Sequence, residues 1–119
     1  MVTIDGFDAS AWGRPVGGSC FSYDNADPVV RAQAGLRIDN LSQDELSDLR
    51  VSFFSGKRLL PTCFHGYGGA LPSIAAGDGR NITFFTFVDR DQAVTEVVVQ
   101  ALGQSRRFCV AGQNLVPCR

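Results

Sequence analysis

The clearest pattern in the chain is the alternation that begins at Val30. Val30, Ala32, Ala34, Leu36 and Ile38 share one face, and Arg31, Gln33, Arg37 and Asp39 share the other. A period of two with one apolar side predicts a half-buried strand. The same period returns over 81–88, with Ile82, Phe84, Thr86 and Val88 on one face and Thr83, Phe85, Phe87 and Asp89 on the other. There the second face is unusually apolar for a surface, which singles out Phe85 and Phe87. Over 46–56 two periods compete: Leu46, Leu49 and Phe53 fit a helix, whereas Leu49, Val51 and Phe53 alternate with Arg50 and Ser52. The strand is preferred, with Gly56 as its stop.

The segments between these runs are polar or broken. Ser42 and Glu45 have capping-box spacing and predict a short helical turn. Lys57 to Gly79, with Pro61, Pro72 and five glycines, is expected to be mostly loop. After a polar reversal at Asp89–Gln92, Val94–Leu102 predicts a strand, Gly103–Ser105 a turn, and Arg106–Val110 with Leu115–Pro117 a last short pair. Residues 1–28 are interrupted by Gly6, Gly13, Gly17, Gly18, Pro15 and Pro28 and predict an irregular, Gly-rich arm. That arm carries Phe7, Trp12, Phe21 and Tyr23, so it is expected to pack on the body or on a neighbouring subunit. The division that follows is an arm over 1–28 and a β-sandwich domain over 29–119.

The order of signals from residue 30 to 102 is similar to that of many immunoglobulin-like sandwich domains outside the antibody family: a strand ending in Asn40-Leu41-Ser42, a polar excursion, a second strand, then Ile74 to Phe85 leading into a third. The chain lacks the Trp placed between two sheet-bridging cysteines that marks antibody-type domains. The resemblance implies a fold, a small all-β antiparallel sandwich, and brings no functional residues with it.

Composition supports this class. The 119 residues carry 45% hydrophobic side chains and nine Phe, enough for one packed domain. Glu and Lys, the good exposed helix formers, number two and one against ten Asp and ten Arg, as turns and strands prefer, although a GC-rich genome also favours Arg. A net charge of −1 without a like-charge block gives no electrostatic footprint for nucleic acid or an anionic membrane. No run approaches the roughly 18 apolar residues of a membrane span, and Met1–Ser10 shows no targeting pattern.

Cys20, Cys63, Cys109 and Cys118 allow three pairings. Cys109 and Cys118 flank a tight reversal at Ala111–Asn114, which favours Cys109–Cys118 and, by remainder, Cys20–Cys63. Disulfides place the protein in an extracellular, periplasmic or virion setting. Free buried thiols, or a zinc site joining Cys63 and His65 to two other cysteines, are the competing readings, but no Cys-x-x-Cys knuckle is present, and no metal or cofactor is expected.

His65, the only histidine, is the sole base for a Ser-His-Asp or Cys-His arrangement, and no Gly-x-Ser-x-Gly elbow accompanies it. Most Asp residues occupy turn positions. Asn40-Leu41-Ser42 and Asn81-Ile82-Thr83 match the N-glycosylation pattern. The reading adopted is a noncatalytic structural or interaction module, a subunit of an extracellular or virion-type assembly, with a protein partner or self-assembly through the arm and the Phe85 and Phe87 face. The alternative is a small-ligand or carbohydrate-binding domain using Trp12, His65 and Tyr67. A small secreted hydrolase using His65 is the third.

Overall fold

The computed structural model describes residues 2–16, 23–65, 73–101 and 103–118, with the backbone alone at 2–5, 15, 25–27, 64 and 65. The described chain is all β: β1 (Val2–Pro15), β2 (Tyr23–Asp39), β3 (Arg50–Ser55), β4 (Arg58–Leu60), β5 (Cys63–His65), β6 (Gly79–Val88), β7 (Glu96–Ala101), β8 (Gln104–Ala111) and β9 (Asn114–Pro117). They form two antiparallel sheets, ordered β1-β2-β6-β5 and β4-β3-β7-β8-β9.

The period-two patterns decide which faces meet. On β2, Ala32, Ala34, Leu36 and Ile38 point inward, and the β6 register sets them against Thr86, Phe84, Ile82 and Arg80. Val51 and Phe53 of β3, Val97 and Val99 of β7 and Phe108 of β8 supply the other sheet's inner face, and all join one buried cluster. Small residues on β2 let Phe84 and Phe53 fill the space between the sheets, both essentially fully buried.

Three expectations are corrected. Residues 2–15, expected to belong to an irregular arm, form β1, which pairs with β2 from Val2↔Ile38 to Pro15↔Tyr23. The ladder slips between Ile4 and Gly6 and between Trp12 and Arg14. Such bulges flip the facing of side chains and confine the alternation of Phe7, Ala9 and Ala11 with Asp8 and Ser10 to the short stretch between them. The helical turn expected at Ser42–Glu45 is a set of bends. There Asn40, 1% exposed, donates from Nδ2 to the carbonyls of Asp44 (2.8 Å) and Ile74 (2.9 Å), and its Oδ1 accepts from the Ser42 amide and hydroxyl. With both amide protons bound inside the fold, the first glycosylation pattern is structural. The loop expected from 57 to 79 contains β4 and β5, each too short for periodicity to show.

The strand preferred over 46–56 is present as Arg50–Ser55, while Leu46 makes an isolated bridge to Ile74. Gly56 turns β3 into β4 with a φ of 61°, and Gly112 turns β8 into β9 at 65°, a backbone region that glycine enters without penalty. Cys109 and Cys118 are joined, with Cα atoms 5.1 Å apart. Cys63 is disulfide-bonded as well; Cys20 lies outside the described residues. Among the described residues no helix is long and apolar enough to cross a membrane.

Candidate functional site

The outward face of β1-β2-β6-β5 collects aromatic groups at one end. Because Ala32 and Ala34 point inward, Arg31 and Gln33 point outward, and the register sets them against Phe87 and Phe85. Cys63 of β5 completes the row on the far side of Phe85. At the end of β1, Trp12 pairs with Val29, and Tyr23 begins β2 opposite Pro15.

The side chains interlock. Trp12 meets Tyr23 edge to face with centroids 5.8 Å apart, Tyr23 tilts against Phe87 at 5.5 Å, and Phe87 meets Phe85 edge to face at 5.7 Å. The Arg31 guanidinium carbon stands 3.9 Å from the centre of the Trp12 ring and 5.5 Å from that of Phe85. A cation over an aromatic face is worth about 1–2 kcal/mol when partly desolvated. Arg31 Nε is buried and has no hydrogen-bond partner among the described residues, so ring contact is what holds this side chain.

Phe85 is therefore sequestered, 2% exposed, whereas Trp12 and Tyr23 remain 39% and 37% exposed. Of the apolar face expected at Phe85 and Phe87, Phe85 is covered and Phe87 is half-buried, and the more exposed aromatic rings are Trp12 and Tyr23. Beside them lies a concavity of about 500 Å³ lined by Ala11, Trp12, Gly13, Tyr23 and Pro28. An ion pair from Arg14 to Asp89 (2.9 Å) ties this end of β1 to the turn after β6.

The structure thus brings together Trp12, Phe85 and Phe87. It places His65 on β5 opposite Thr83, with only its backbone described, and Tyr67 lies outside the described residues. Arg31 was not anticipated, and Tyr23 was expected only as one of the packing aromatics of the arm. The signal for Arg31 was present in the alternation, since a residue on the polar face of β2 sits across from the apolar outer face of β6 once those strands pair. At the opposite end of β2, a cavity of about 220 Å³ opens between the sheets, lined in part by Ile38, Asn40, Leu41, Val99 and Arg106, with Leu41 77% exposed beside it.

The surface near Trp12 and Tyr23 is suited to contact: rings already fixed by neighbours lose little freedom when a partner covers them. No family model, curated protein or solved structure matches the chain.

Proposed function

We propose that this protein is a noncatalytic interaction module, a subunit of an extracellular or virion-type assembly, and that Trp12 and Tyr23 are its contact anchors. The observation that carries this reading is the exposed Trp12–Tyr23 pair, held rigid by Arg31, Phe87 and the buried Phe85. Aromatic groups of this kind dominate the binding energy of interfaces. The Cys109–Cys118 bond supports an oxidising location. An immunoglobulin-like architecture belongs to the same reading. The orders β1-β2-β6-β5 and β4-β3-β7-β8 can be matched to the ABED and C′CFG sheets of such domains, with β9 as an addition.

The test is association of the intact protein, followed by light scattering and native mass spectrometry across a concentration series. The wild type forms a defined oligomer, and Trp12→Ala raises its dissociation constant about tenfold or more. A wild type that stays monomeric at every concentration overturns the assembly. The concavity beside Trp12 favours a second reading, a carbohydrate site in which a sugar stacks on the ring; His65, on the opposite edge strand in the row of Gly6, lies too far along the sheet to share it. Glycan-array binding that Trp12→Ala abolishes, from a protein that does not self-associate, would replace the first reading by this one.

A further inference from the structure

Among the described residues the two sheets have four edge strands, and three of them are short. β4 and β5 have 3 residues each, and β9 has 4 and ends at Pro117, so these edges offer little ladder to a neighbour. β1 runs for 14 residues, and among the described residues no strand pairs with its outer side. Between its two register shifts lies an unbroken stretch from Gly6 to Trp12. All of it is exposed except the half-buried Phe7. A long, regular, unpaired edge is a template for another strand.

We propose that this edge pairs antiparallel with the same edge of a second copy, about a two-fold axis at Ala9. The inference rests on the assembly reading above and names its partner and its contact. The stretch Gly6-Phe7-Asp8-Ala9-Ser10-Ala11-Trp12 is self-complementary about its centre. In that register Trp12 stands opposite Gly6, Phe7 opposite Ala11, Asp8 opposite Ser10, and Ala9 opposite its own copy. Each large side chain meets a small one, and the Asp8 carboxylate meets a hydroxyl that donates to it.

Neighbouring registers are poorer. An axis at Asp8 sets two carboxylates directly opposite, which is destabilising. An axis at Ser10 sets Asp8 against Trp12 and drives Gly6 and Phe7 against Gly13 and Arg14, at and past the second shift in the ladder. Pairing at Ala9 joins the two β1-β2-β6-β5 sheets into one continuous sheet with closed two-fold symmetry, in which the same patch serves both copies. It also places Trp12 of each copy at the seam.

Cysteine cross-linking and hydrogen exchange test the register on the intact protein. Ala9→Cys, with the native disulfides kept, cross-links to its own copy under mild oxidation about tenfold faster than Ala11→Cys, because only the first pair lies within disulfide reach. In the wild type, outward-pointing β1 amides between Gly6 and Trp12 become protected as concentration rises and lose that protection on dilution. If the wild type associates while those amides exchange at one rate throughout, or while the two variants cross-link equally, the edge pairing is wrong and the assembly reading stands. A wild type that is monomeric throughout overturns both.

Discussion

Two buried polar residues make opposite contributions. Asn40 uses its side chain to close the connection between β2 and Leu46, donating to two carbonyls and accepting from Ser42. Asn40→Ala removes these bonds at a site that water does not reach, and an unmet buried group costs about 1–3 kcal/mol. The expected loss is about 2–3 kcal/mol in the unfolding free energy read from urea denaturation. Thr86, fully buried on the inner face of β6, has no hydrogen-bond partner for its hydroxyl among the described residues. Thr86→Val exchanges that hydroxyl for a methyl group of similar shape, and a gain of about 1 kcal/mol is expected. A loss in the same urea experiment would mean that the hydroxyl is satisfied.

At the scale of elements, the sheet containing β7, β8 and β9 is reinforced on its surface and at its edge. Arg107 of β8 reaches across to Glu96 of β7 with two hydrogen bonds, from Nε to Oε1 and from Nη2 to Oε2 (3.1 Å). The bond from Arg107 holds the Glu96 carboxyl below its ordinary value and raises the guanidinium in return. A carboxyl lowered in the folded state stabilises above its unfolded value, and that contribution fades as pH falls through the lowered folded value. A side-chain NMR titration should therefore show Glu96 shifting back up toward an ordinary glutamate in Arg107→Ala. An unchanged midpoint would exclude the pair as its cause. The β8–β9 hairpin is closed by the Cys109–Cys118 bond across a separation of 9 residues. A loop of that size restricts the unfolded chain by about 2–3 kcal/mol. The double variant Cys109→Ser/Cys118→Ser is expected to lose that much stability while keeping the ladders of β3 and β7, which amide exchange would report.

For the whole molecule, both sheets depend on one core. Phe84 comes from one sheet and Phe53 from the other, and each is essentially without solvent contact inside the same cluster. Phe53→Ala and Phe84→Ala should each lower stability by about 3–5 kcal/mol. Each should do so in a single transition, with Trp12 fluorescence and far-ultraviolet circular dichroism moving together. Separate transitions for the two signals would show that the sheets hold independently. The aromatic surface is also a property at this scale, since Arg31 meets Trp12 and Phe85, and Tyr23 meets Phe87, only because β1, β2 and β6 lie side by side.

Periodicity made much of this fold legible. The alternations over 30–38 and 81–88, and the weaker one over 49–53, became β2, β6 and β3, because a strand with one buried face must repeat every two residues. The Cys109–Cys118 pair was legible too, since residues on either side of a tight turn are brought together by local geometry. Alternation did not disclose β1, where Phe7, Ala9 and Ala11 alternate with Asp8 and Ser10 only over the short stretch between register shifts near Gly6 and Gly13, or β4 and β5, which are too short to have a period. Nor could it assign Asn40-Leu41-Ser42 to a buried network, or tell that Phe85 would be covered and Trp12 left exposed. Those outcomes depend on which strands become neighbours. Neighbour choice is set by contacts among residues distant in the chain, so local sequence determined the strands and their inner faces, and the tertiary structure alone decided what the outer face would hold.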